Sequence, residues 1–127
     1  MKTVRVALDT NFLVWTVKQK VNACREIRRL LGRVEFVVPA QVERELGLLR
    51  RKGKTMEKLV NLAEMELKAN EVKVIGVNAA NADDALVGLA LDGCWVATND
   101  RALKARLKER IIFIRQNKLV EAIGEGV

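Results

Sequence analysis

The chain has 127 residues, half of them hydrophobic and 31% charged, a length and balance that fit one globular domain around a single core. It contains no His and no Ser, so an imidazole base, a serine nucleophile and a His-liganded zinc are excluded; its two cysteines, Cys24 and Cys94, are far apart and form no CxxC pair, so neither a zinc ribbon nor a disulfide framework is indicated. Lys and Arg outnumber Asp and Glu by 23 to 16, and the net charge of +7 favours a polyanion such as nucleic acid, although a merely charge-rich surface would have the same composition.

In chain order, residues 3–8 read as a short β-branched strand. The apolar stretch 4–17 is broken by Arg5 and Asp9, which predicts neither a signal peptide nor a membrane span and makes the cytoplasm the expected compartment. Helix follows, with Asn22 as a start signal and Gly32 as a stop for the segment that ends at Leu31. Residues 35–38 read as a second strand, after which Pro39 opens a helix to about residue 51 that Gly53 breaks. Met56, Leu59, Val60, Ala63 and Leu67 recur at helical spacing in 55–69. Strand 72–77, helix 82–91, strand 95–98, helix 101–109 and strand 111–114 come next, and residues 119–123 read as a short closing helix. Strands alternating with helices predict an α/β domain with a doubly wound parallel sheet, whose ligand crevice lies beyond the carboxyl ends of the strands. Neither GxGxxG nor GxxxxGK[ST] is present.

Carboxylates must therefore carry any chemistry, and an oxygen-lined pocket suits hard divalent cations. Asp9 stands where Val6-Ala7-Leu8 gives way to Thr10-Asn11, and Asp100 follows Val96-Ala97-Thr98-Asn99 in the same manner. Helix capping explains either acid taken alone; its recurrence at the ligand-binding edge favours a functional role. On a helical wheel of residues 40–49, Val42, Leu46, Leu48 and Leu49 define an apolar arc that includes Glu45, whereas Glu43 falls outside as a solvated charge. A carboxylate on a buried face requires a metal, an Arg or a proton. Asp83 and Asp84 share the first turn of helix 82–91, with Asp83 nearer the apolar centre, and dipole stabilisation by itself accounts for one of them. Arg50, Arg51, Lys52 and Lys54 form one basic cluster, while Arg101, Lys104, Arg106, Lys108 and Arg110 decorate the helix beside Asp100. Each cluster reads equally as a track for an RNA backbone or as a solvated face, Arg101 being nearest the acids. Trp15 and Trp95 read as core residues, with base stacking as the alternative.

Four stations together resemble the PIN-domain ribonuclease family, in its order and spacing and over essentially the whole chain. They are Asp9 in Leu8-Asp9-Thr10-Asn11, Glu45 in the run from Pro39 to Leu46, Asp84 in Ala82-Asp83-Asp84-Ala85, and Asp100 in Thr98-Asn99-Asp100-Arg101. Val38-Pro39, the doubled Asp83-Asp84 and the run from Ile112 through Gln116-Asn117-Lys118 to Leu119 are similar to archaeal relatives of the PIN nucleases that process small-subunit ribosomal RNA. The toxin branch of toxin–antitoxin pairs is similar as well. The resemblance implies a single domain over residues 1–127 with a parallel sheet of about five strands flanked by helices, acting as a metal-dependent endoribonuclease. It implies Mg²⁺ or Mn²⁺ held by Asp9, Glu45, Asp84 and Asp100, with Asp83 as the further candidate ligand. Thr10, Asn11, Thr98 and Asn99 would form the supporting shell, and Arg50, Arg51, Lys52, Arg101 and Lys104 would bind RNA. In-line hydrolysis would leave a 5′-phosphate and a 3′-hydroxyl. The implied partners are ribosomal RNA, a second copy of the chain, and ribosome assembly factors or an antitoxin; any further RNA-reading module would come from such a partner. A non-cleaving RNA-binding assembly factor that keeps the pocket is the alternative.

Overall fold

The computed structural model describes residues 2–115 and 119–124. Strands β1 (Val4–Leu8), β2 (Val34–Pro39), β3 (Lys73–Ile75), β4 (Trp95–Ala97), β5 (Ile111–Ile114) and β6 (Val120–Ile123) form one sheet in the order β3-β2-β1-β4-β5-β6. The pairings from β3 across to β5 are all parallel. Helices α1 (Thr10–Lys18), α2 (Ala23–Leu31), α3 (Ala40–Arg50), α4 (Lys54–Ala69), α5 (Ala82–Leu91) and α6 (Arg101–Leu107) make the connections and cover both faces. Val6, Ala7, Leu8, Phe36, Val37, Val38, Val96 and Ala97 are all buried, which is why the central strands read as uninterrupted apolar runs rather than alternating ones.

The chain steps from β1 to β2 to β3 on one side and then crosses back to lay β4 on the other flank of β1. Strand order reverses between β1 and β4, so the crevice that a parallel sheet offers to ligands opens at their carboxyl ends. Those ends are where Asp9 and the Thr98-Asn99-Asp100 loop emerge, and they are stitched by a backbone bond from Asp9 N to Ala97 O at 3.0 Å.

The sheet has six strands where about five were expected, because residues 119–123 do not form a helix: β6 pairs antiparallel with β5, Val120 opposite Ile114 and Ile123 opposite Ile111. A five-residue helix nucleates poorly, while the free edge of β5 offers unpaired backbone groups and a buried place for Val120. Gly124 closes the segment at φ +139, where a Cβ would lie 2.6 Å from Arg110 N. Gln116, Asn117 and Lys118, which belong to the last of the family-like motifs, lie outside the described residues. Edge strand β3 is shorter than the expected 72–77, being paired on one side only, and α6 stops at Leu107 because Lys108 turns to φ +69. Asn22 caps α2 as read, its side chain accepting from Arg25 N at 3.2 Å. Among the described residues no helix is long and apolar enough to cross a membrane.

Candidate active site

Asp9 occupies the N-cap position of α1, yet its side chain makes no capping bond. Its Oδ2 instead accepts the Thr98 hydroxyl at 2.7 Å across the β1–β4 junction, and only 4% of the residue is exposed. Burial pushes the carboxyl up from 3.8 to about 6; the Thr98 hydroxyl and the Thr10 backbone N–H pull it partly down, and the charges of Asp83 and Glu45 raise it again. Asp100, in the matching position after β4, does cap its helix, its Oδ1 accepting from Leu103 N at 2.8 Å. The two acids that look equivalent in sequence thus differ: capping occupies one oxygen of Asp100 and none of Asp9.

Thr98 couples them. Fully buried, its hydroxyl donates to Asp9 and accepts from Asp100 N at 3.1 Å, so one oxygen orients the buried acid and holds the loop carrying its neighbour. Asn99 ties the same loop to β5, donating to Ile114 O at 3.1 Å and accepting from Ile114 N at 2.9 Å. Thr98→Val, which removes the hydroxyl at nearly constant volume, is expected to lower the RNA-cleaving activity that the family resemblance implies about 10- to 100-fold, with Thr98→Ser restoring most of it; single-turnover cleavage rates check this.

Glu45 is exposed, contrary to the buried placement drawn from the wheel. The face that α3 buries runs through Gln41, Val42 and Leu46 and includes the direction of Glu45, but one turn beyond Gln41 it opens into a groove that Thr10, Asn11 and Leu48 also line. From the margin of that face Glu45 Oε1 accepts the Thr10 hydroxyl at 2.5 Å, which brings it to the amino end of α1 beside Asp9. Asp83 and Asp84 part company. Asp83 is near enough to Asp9 for its charge to be felt there. Asp84 turns to α6, accepting from Arg106 Nη2 at 2.9 Å and from Asn81 Nδ2 at 3.3 Å. Thr10 thus joins Glu45 to the segment that carries Asp9, the charge of Asp83 is felt at Asp9, Thr98 brings Asp100 to the rim, and Asp84, the expected ligand, is paired with Arg106.

Gln41 gave no functional signal in the sequence. Buried on α3, it donates from Nε2 to Val77 O at 2.8 Å and Ala79 O at 2.9 Å, pinning the segment that leads into Asp83. A glutamine two residues after Pro39 on an otherwise apolar face was the only clue. Gln41→Ala strands two carbonyls and is expected to cost about 1–3 kcal/mol in chemical denaturation.

The basic residues divide as well. Arg50 is spent inside the fold, pairing with Glu64 and donating from Nε to Asn61 Oδ1 on α4 at 3.1 Å. Lys104 lies over the Phe113 ring at 5.0 Å. Arg51 and Lys52 instead line a groove of about 560 Å³ with Thr10, Asn11, Glu45, Leu48 and Leu49, and Arg101 is exposed beside Asp100. Trp95 is buried and Trp15 packs against the core. A separate hollow of about 470 Å³, lined by Lys2, Arg5, Glu35, Asp92 and Arg110 among others, lies at the opposite, amino edge of the sheet.

Among the described residues, no three acids already form a cation cage, and none of Asp9, Glu45, Asp83 and Asp100 has a basic partner within ion-pair distance. A buried carboxylate crowded by like charges and facing no cation is a donor set that fits a hard divalent ion.

A mostly parallel α/β sheet with these acids at its switch point defines the fold of the PIN domain. The profile of the PIN like domain family matches residues 6–117, and the chain belongs to that family. It is 37% identical to Ribonuclease VapC4 of Methanocaldococcus jannaschii over 94% of this chain and 97% of that protein. Ribonuclease VapC9 of Archaeoglobus fulgidus is 31% identical over 92% and 88% of the two chains. Among solved structures, the PIN domain endonuclease Utp24 superposes with a TM-score of 0.75 at 24% identity, covering 97% and 95%. VapBC2 from Rickettsia felis, solved bound to a promoter DNA fragment, gives 0.62 at 16% identity, covering 87% and 97%. These two likenesses bear on the fold.

Proposed function

We propose that this protein is a metal-dependent endoribonuclease whose centre is Asp9, Glu45 and Asp83, completed by Asp100. The observation that carries the reading is the buried, uncapped Asp9 carboxylate, oriented by Thr98 and crowded by two further acids at the ligand-binding edge of the sheet. Mg²⁺ or Mn²⁺ bound there supplies Lewis acidity, which makes water a better nucleophile near neutral pH and offsets charge on the phosphate. The chain's own contributions are positional. Thr98 and Thr10 fix the orientation of Asp9 and Glu45, Gln41 and Asn99 hold the two loops, and Arg51, Lys52 and Arg101 attract the phosphate backbone. No protein nucleophile is needed, and the ends left would be a 5′-phosphate and a 3′-hydroxyl.

Incubation of generic single strands and structured ribosomal RNA with Mn²⁺ tests this. Wild type is expected to cut, and Asp9→Asn or added EDTA to abolish cutting; equal cleavage by both proteins would sink the assignment to this pocket.

For the cellular role we infer processing of ribosomal RNA in the cytoplasm, with assembly factors as partners, supported by the Val38-Pro39 and Asp83-Asp84 motifs. A second reading, a toxin restrained by an antitoxin, is favoured by the names of both curated relatives. Growth arrest on expression, relieved by a small neighbouring gene, decides for the toxin; defective small-subunit RNA ends on deletion decide for processing. Leu62 and Met65, exposed on α4, support a homodimer through that helix.

A further inference from the structure

The groove beside Glu45 has a graded lining. Thr10, Asn11 and Glu45 form its polar end next to the acids, Leu48 and Leu49 its apolar middle, and Arg51 and Lys52 its cationic far end. Beyond Leu48 a second hollow of about 440 Å³ continues the surface, lined by Arg44, Gly47, Leu48, Arg50 and Arg51. Leu48 and Arg51 belong to both hollows, so the leucine is a ridge on a path from the acids to a cluster of arginines. At 60% exposure it has no packing role that explains a large apolar side chain in the midst of these charges. Arg50 is tied down by Glu64 and Asn61, which leaves Arg44, Arg51 and Lys52 as the cations of the path.

We propose that Leu48 is a shelf for one unpaired nucleobase of the RNA, adjoining the phosphate at the acids, with the next phosphates held by Arg51, Lys52 and Arg44. The inference rests on the ribonuclease reading and adds the residue that seats a base beside the cleaved phosphate. An apolar step flanked by cations matches the alternation of base and phosphate along a single strand; the volume is of the order that takes a nucleotide-sized ligand. In a paired helix the bases are stacked inward and cannot lie on such a shelf. The shelf seats that base without reading its identity, since a leucine face offers no hydrogen bonds.

The test is equilibrium binding in EDTA, where nothing is cut, by fluorescence anisotropy. The probes are a labelled short oligouridylate, a ribose-phosphate strand of the same length lacking bases, and an RNA duplex. Leu48→Ala is expected to weaken oligouridylate binding roughly three- to tenfold while leaving the baseless strand and the duplex unchanged. Arg51→Ala should weaken all the probes and flatten the salt dependence. Leu91→Ala, which removes another exposed leucine, serves as the control and should change nothing. A Leu48→Ala effect of equal size on the baseless strand overturns the proposal, as does no effect at all, the result expected if the shelf instead seats a protein segment. Failure of the ribonuclease reading shows itself differently: wild type then cuts none of these RNAs with Mn²⁺, whatever their binding in EDTA.

Discussion

Asp9→Asn is expected to yield a protein more stable than wild type above pH 6, in the absence of metal, that no longer cleaves RNA. Burial pushes the Asp9 carboxyl from 3.8 to about 6, so the folded state holds this proton more tightly than the unfolded chain does. The stability contributed by the group is therefore fully present below pH 3.8 and is lost as the pH rises through about 6. That change in proton affinity corresponds to about 3 kcal/mol as an upper value. Asn keeps an acceptor for the Thr98 hydroxyl and never ionises. The variant's advantage should accordingly be near zero at pH 4 and approach about 2–3 kcal/mol at pH 8. Urea unfolding in EDTA at the two pH values checks this, and a variant less stable than wild type at pH 8 would refute it. Saturating Mn²⁺ should then raise the wild-type midpoint and leave that of the variant in place. Activity should fall by at least about a hundredfold, because the loss of a mere supporting partner to a metal ligand already costs 10- to 100-fold.

The second large effect separates two neighbours. Asp83→Asn is expected to weaken Mn²⁺ binding and cleavage by about a hundredfold or more, and Asp84→Asn to leave both within about threefold. The reason is placement: the charge of Asp83 is felt at Asp9, whereas Asp84 faces Arg106 across the α5–α6 contact. Both members of that ion pair are 46% exposed, so its loss should cost less than about 1 kcal/mol of stability. Calorimetric Mn²⁺ titration of each variant, beside its cleavage rate, provides the measurement. An NMR titration adds an independent mark, since removing the Asp83 charge should lower the Asp9 midpoint and removing Asp84 should not. Equal defects in the two variants, or the reverse order, would return Asp84 to the ligand set.

Much of this architecture could be read from local signals. Val6-Ala7-Leu8 and Val96-Ala97 announce strands covered on both faces, and Asn22 and Gly32 bracket α2 where capping chemistry puts them. The acids at the strand ends were legible for the same reason, since a buried strand has to deliver its last residue to the crevice. What escaped depends on contacts distant in sequence. β6 forms because β5 has an open edge, a fact no pattern within 119–123 contains. Gln41 acquires its task from carbonyls at Val77 and Ala79, and Arg50 loses its freedom to Glu64. Glu45 has the direction of the buried face of α3 yet stands where that face opens into a groove, which periodicity within one helix cannot reveal. For Asp83 and Asp84 the wheel and the family motif point apart, and a wheel cannot decide between them because both are exposed in the first turn of α5, Asp84 facing Arg106 while the charge of Asp83 is felt at Asp9.

The loops that frame the acids are anchored by amides, Gln41 on one flank and Asn99 on the other, and neither anchor carries a charge. Counter-ions therefore have nothing to screen at these two anchors, while the proposed grip of Arg51 and Lys52 on a polyanion is theirs to weaken. Rising salt should release the nucleic acid long before it disturbs the scaffold, so an enzyme emptied by brine would remain folded and ready to reload on dilution.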